Sequence, residues 1–162
     1  MASVIKGLIE YSGITTDFPT NPPYNPIYFK QFTVQEELTL PAAKPDIEQI
    51  VRVLAEVEIT HTRIINTPIS VSYEGQKLTG HKMLIEGEIF QKIEYVADEP
   101  TQSVHAAHFQ VPFSAYIVLD AGHTDDDTIH VVPYIEDIYV QQIGKRKIFK
   151  NVVLFLDAVV RH

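Results

Sequence analysis

The sequence predicts an all-β fold, an antiparallel β-sandwich or flattened barrel of six to eight strands. Three observations point there. Val, Ile and Thr supply 48 of the 162 residues, against nine Leu and ten Ala, and β-branched side chains suit a pleated surface better than a helix. After Tyr28, apolar and polar residues alternate with period two through most of the chain, which is the strand period. Turn signals fall between the alternating runs, at Glu74-Gly75, Asp98-Glu99-Pro100, Ala121-Gly122-His123 and Ile143-Gly144.

Residues 1–27 form a distinct arm. Val4, Ile5, Leu8, Ile9 and Tyr11 are enough for one short strand. Pro19, Pro22, Pro23 and Pro26 then fix φ and remove backbone donors, so this stretch reads as an extended spacer. Phe18, Tyr24 and Tyr28 favour docking over a loose tail, because disordered tails are poor in aromatics. A proline spacer long enough to reach a neighbour, next to an apolar segment, predicts that Val4–Ile14 adds to or packs on a second copy. The rival is that it folds back on its own sheet.

The domain proper spans 28–162. Phe32, Val34, Leu38 and Leu40 mark the first strand. Lys44-Pro45-Asp46-Ile47-Glu48-Gln49-Ile50 breaks the alternation. Proline at the start, acids next and Ile47 three residues from Ile50 predict one short helical turn near 44–50. Asp46 would accept backbone N–H groups there, and Ile47 and Ile50 would plug one end of the sandwich. Val51, Val53, Ala55, Val57 and Ile59 alternate with Arg52, Glu56, Glu58 and Thr60. Met83, Ile85, Ile89, Ile93 and Tyr95 line one face of the next run, with Gly87 among them as the mark of a bulge or close backbone approach. His105, Ala107, Phe109, Val111, Phe113, Ala115 and Ile117 follow, then a strand over 128–142. The last run, 148–160, is apolar on both sides and reads as a central, doubly covered strand.

Composition narrows the function classes. A formal charge of −8 leaves no basic footprint for nucleic acid. The absence of cysteine excludes thiolate catalysis, cysteine-bound zinc and a disulfide framework. There is no apolar run of membrane-spanning length. MASVIKGLIEYSG lacks the long apolar stretch of a secretory signal, so synthesis in the cytoplasm is expected.

No constellation of residues reads as a catalytic, cofactor or metal site. His105 and His108 would point to opposite faces of a strand. His123 and Asp125–Asp127 lack the alternation and glycine of a calcium loop. Ser114 has no nucleophile-elbow context. Glu56 with Glu58 and Glu86 with Glu88 are same-face pairs of the kind that solvated strands carry. Lys145-Arg146-Lys147 reads as a solvated hairpin end.

The order of motifs adds to this. Lys44-Pro45-Asp46-Ile47 leads into the strand 51–62. Ile85-Glu86-Gly87-Glu88-Ile89 leads to Glu94-Tyr95-Val96-Ala97-Asp98. Val111-Pro112-Phe113-Ser114 follows, and Arg146 precedes the apolar strand 152–156. Over about residues 28–162 this resembles the SPOCS domain, found in spore-coat morphogenesis proteins of endospore-forming bacteria. The resemblance implies a β-rich, non-enzymatic domain that mediates protein–protein assembly on the developing spore. It makes Pro45, Asp46, Ile47, Gly87 and Tyr95 structural motif positions. A single copy with an aromatic, proline-rich arm suggests a subunit that assembles with itself, as a ring or filament, and with other coat proteins on the spore surface. The arm residues Val4, Ile5, Leu8, Ile9, Tyr11, Phe18 and Tyr24 are the expected assembly contacts. The alternative is a β-sandwich binding module for a cell-wall glycan or another coat protein.

Overall fold

The computed structural model describes residues 3–16, 26–71, 77–120, 122–124 and 127–161. Eight strands follow in order: β1 (Ser3–Lys6), β2 (Ile9–Ser12), β3 (Tyr28–Thr39), β4 (Ile47–Val71), β5 (Lys77–Ala97), β6 (Val104–Val118), β7 (Thr128–Gln142) and β8 (Lys147–Arg161). They form a five-stranded sheet, β1-β2-β4-β5-β6, and a three-stranded sheet, β3-β8-β7. Among the described residues there is no helix. β4 meets β7 and β6 meets β3 at the two sides, so β5 lies over β8 in a sandwich open at both ends.

All pairings are antiparallel except one. β2 joins β4 in parallel, Tyr11 opposite Val53. The arm segment expected as one strand is thus a hairpin, β1 against β2, docked on its own sheet. Within the chain, the segment takes the rival course and pairs with its own sheet. Phe18, Tyr24 and the stretch Pro19–Pro23 lie outside the described residues.

The helical turn expected near 44–50 is also corrected. Lys44 N–H donates to Pro41 O at 3.0 Å, closing a tight turn, and β4 is already under way at Ile47. The β-branched residues after Asp46 favour the ladder, and Tyr95, Asp98 and Arg146 occupy the acceptors that a helix would use. Ile47 and Ile50 are buried at 3% and 1% exposure, as expected. A register shift between Ile50 and Arg52 keeps Ile50 and Val53 in the core and leaves Val51 half-buried.

The inner faces supply the core. Ile50, Val53, Ala55, Ile89, Ile93, Tyr95 and Ala107 of one sheet pack against Ile135, Ile138, Val140, Ile148, Val152 and Leu154 of the other. A second cluster around Met83, Ile85, Ile117, Val131 and Leu156 fills the far end. β8 is the central strand of its sheet, as expected. Its outward row is only partly covered: Phe155 sits between the rings of Phe29 and Tyr134, whereas Val159 is exposed.

Gly87 stands where the alternation placed it. A Cβ there would lie 2.5 Å from Phe113 Cζ and 2.6 Å from Glu58 O, so the position admits no side chain without backbone movement. The inner row of β8 also holds a residue that the apolar pattern hid. Lys150 is fully buried, its Nζ 3.7 Å from Glu36 Oε2 and without a hydrogen-bond partner. Burial lowers its pKa to about 8, against the partial relief of the Glu36 charge.

Two outcomes follow. Gly87→Val overpacks against Phe113 and the β4 backbone and should cost about 1–3 kcal/mol in chemical denaturation; an unchanged midpoint would show that the contact yields freely. Lys150 has a folded pKa below its unfolded value, so the unfolded chain binds more protons between the two. Stability should therefore rise as pH climbs from about 8 towards 10. Above about 10 the buried Tyr11 and Tyr95, whose pKa values are raised by burial, reverse the trend. Lys150→Met should remove the rise and stabilise the protein at pH 7 by roughly 1–3 kcal/mol. A rise that survives in Lys150→Met would assign it to another group.

Candidate functional site

At one end of the sandwich, the connection from β3 to β4 crosses from the smaller sheet to the larger. Its sequence, Pro41-Ala-Ala-Lys-Pro45-Asp46, has two prolines and cannot pair as a strand. Its carbonyls are satisfied from elsewhere in the chain. Arg146 donates to Lys44 O at 2.8 Å, to Pro41 O at 2.8 Å and to Asp46 Oδ1 at 2.9 Å. Tyr95 O–H donates to Pro45 O at 2.8 Å. Asp98 N–H donates to Asp46 O at 2.9 Å, and Ile47 N–H to Lys145 O at 2.8 Å.

Four positions singled out in the sequence, Pro45, Asp46, Ile47 and Tyr95, are thus brought together, and Arg146 ties Asp46 to the carbonyls of Pro41 and Lys44 beside them. Gly87 lies elsewhere, mid-strand on β5. Asp46 does not cap a turn through backbone N–H groups. Its carboxylate meets the Arg146 guanidinium, and its carbonyl takes the N–H of Asp98. Arg146 is not a solvated hairpin cation: it is half-buried, while Lys145 and Lys147 beside it are exposed. His105 stacks on Tyr95 with ring centroids 6.0 Å apart and meets Ser103 Oγ at 3.0 Å, while His108 faces outward.

The second assembly of residues is the arm. Tyr11 is buried at 2% exposure, and its hydroxyl both accepts from Val140 N–H (3.2 Å) and donates to Val140 O (3.4 Å). Thr15 N–H donates to Ile135 O at 2.8 Å, and its Oγ1 accepts from Ile135 N–H at 3.2 Å. Lys6 pairs with Asp137 and donates to Ile138 O at 3.3 Å. The arm therefore pairs with the edge of β4 and occupies edge groups of β7. Gly13 permits this: its φ is +112°, and a Cβ there would lie 2.0 Å from Ala55 O.

The expected contact residues divide accordingly. Tyr11 and Ile9 point into the core and Val4 is half-buried, while Ile5 and Leu8 remain exposed at 74% and 76%. Lys6, Gly13 and Thr15 were not singled out in the sequence. The isolated glycine directly after an apolar segment was the one available sign of a close backbone approach.

No group of three metal-ligating side chains occurs among the described residues. His123 pairs with Asp127 at 3.2 Å, with the His81 ring at its edge. The concave regions include shallow depressions on the outer sheet face, one lined by Leu54, Glu56, Phe90, Lys92, His108 and Gln110. No helix among the described residues is long and apolar enough to cross a membrane.

The fold is thus an all-β sandwich of two sheets, with Pro45, Asp46 and Tyr95 hydrogen-bonded at one corner. The family model described as SipL, SPOCS domain matches residues 46–143, more than half of the chain. The chain belongs to this SPOCS-domain family, and membership points to a sporulation-related role. Neither a search of curated proteins nor one of solved structures returns a match.

The corner makes an ordered prediction. Arg146→Ala strands three acceptors at once and should cost about 2 kcal/mol or more. Asp46→Ala removes only a partly exposed ion pair and leaves Arg146 its two carbonyls, so it should cost about 1 kcal/mol or less. Denaturant titration of both variants checks the order; an Asp46 variant less stable than the Arg146 variant would contradict it.

Proposed function

We propose that the chain is a non-enzymatic structural subunit, made in the cytoplasm and laid down on the spore coat or surface, which works by associating with copies of itself. The observation that carries this reading is the long edge of β4. β2 covers it only opposite Arg52–Leu54. From Glu56 to the end of the strand, β5 is the only ladder partner among the described residues. An uncovered edge of this length is a template for another strand. Family membership in a sporulation context supports the same reading, as does the engagement of Pro45, Asp46 and Tyr95 in structural hydrogen bonds.

Size-exclusion chromatography with light scattering tests the proposal. The expected result is a mass that rises above 18.4 kDa as concentration increases through the micromolar range. A constant monomer mass across that range would overturn it and favour a binding module, for which the Phe90 depression would be the first place to look.

A further inference from the structure

The distal part of β4 carries an unbalanced set of charges. On the outer face of its ladder with β5, Glu58 lies directly opposite Glu88, and His61 opposite Glu86. Glu56 sits two residues before Glu58 on the same face. Like charges directly opposed across a ladder are destabilising. None of the ion pairs among the described residues involves Glu56, Glu58, Glu86 or Glu88, and none involves Arg63. Arg63 pairs with Leu84 across the ladder, so it lies on that same outer face.

Along the open edge, the acids at 56 and 58 therefore come first, and His61 and Arg63 follow. Such an edge is electrostatically self-complementary in one orientation only. Parallel pairing of two copies puts acid on acid. Antiparallel pairing puts the acidic half of each edge beside the basic half of the other.

We infer that this edge is where a second copy docks: β4 pairs antiparallel with β4 of another molecule about a two-fold axis, Glu58 of each opposite Arg63 of the other. In that register the axis falls between Thr60 and His61. The ladder irregularity between Ile59 and His61 then lies on the axis in both copies. Each strand contributes the same extra residue, and residues 56–59 of one copy run regularly beside 62–65 of the other. Two five-stranded sheets become one continuous sheet. The glutamates gain a cation that no ion pair among the described residues of their own chain supplies, and an isologous contact closes on itself. Exposed Ile64 stands on the same stretch of edge.

This inference rests on the self-association proposed above, and its experiment separates the two. Sedimentation velocity on the full chain, with folding checked by circular dichroism, is run for the wild type, Glu58→Arg, Arg63→Glu, their equimolar mixture and the double variant. Each single variant faces like charge across the axis and should dimerise about tenfold more weakly or worse. The mixture and the double variant both restore two opposite-charge pairs and should recover the wild-type constant. High salt should weaken the wild-type dimer. Single variants that associate like the wild type, or a mixture and double variant that fail to recover, overturn the β4 edge while leaving self-association standing. A wild type that stays monomeric throughout removes both. If one single variant does not fold, the double variant decides alone.

Discussion

Arg146 ties the two sheets at the point where the chain changes from one to the other. Its guanidinium reaches three acceptors on the 41–46 connection, and its own carbonyl takes the N–H of Leu40 at 2.9 Å. A proline-rich crossover cannot use its own N–H groups to hold its shape, so an outside donor has to do it. Arginine suits the task better than lysine, because its planar fork presents several donors in fixed directions. The consequence runs along β4. With Asp46 held, Ile47 and Ile50 enter the core, and the register of the long β4–β5 ladder starts from a fixed position. Tyr95 adds its hydroxyl at Pro45 while its ring fills the core below, so one side chain serves both packing and connection.

The N-terminal hairpin does for one side of the sandwich what Arg146 does for the end. A three-residue parallel ladder is weak by itself. Tyr11, Thr15 and Lys6 add polar contacts to the edge of β7, so the hairpin spans both sheets at once. Each contact also satisfies a backbone group that a sheet edge would otherwise leave open. Tyr11 gives up solvent for this, and desolvation keeps its hydroxyl protonated beyond the ordinary range, as a group that both donates and accepts requires.

What the sequence made legible was whatever local periodicity encodes. The inner row Met83, Ile85, Ile89, Ile93 and Tyr95, the constrained Gly87 and the turn before β8 follow from spacing alone, because strand side chains alternate strictly. The helical turn near 44–50 failed for an instructive reason. Proline followed by acids is a helix-start pattern when nearby N–H groups are the only partners, and here partners arrived from fifty and a hundred residues away. Lys150 was hidden for the same kind of reason: a polar residue in an apolar row reads as an interruption until Glu36 on the neighbouring strand is seen to reach it. The parallel docking of β2 could not be read at all, since the hairpin is amphipathic whichever chain it docks on.

The edges show how selectively this sandwich guards itself. β6 and β7 are edge strands, and each carries a proline within it, Pro112 and Pro133. A proline offers no N–H to an incoming strand, and these are positions where a sheet tolerates one. β1 is only four residues long, with Lys6 at its end, and short charged edges pair poorly. β7 is further occupied by the arm. Two edges depart from that pattern: β3, which has no proline and among the described residues pairs only with β8, and the distal part of β4. Past Ala55, β4 runs through Thr60, Thr62, Ile64 and Ile65 without a proline until Pro68, in residue types that favour strands. Each guarded edge makes an unwanted pairing less favourable and so narrows the ways in which copies can meet. Of the two open edges, that of β4 carries a charge order, acids before His61 and Arg63, that distinguishes its own antiparallel partner from other approaches.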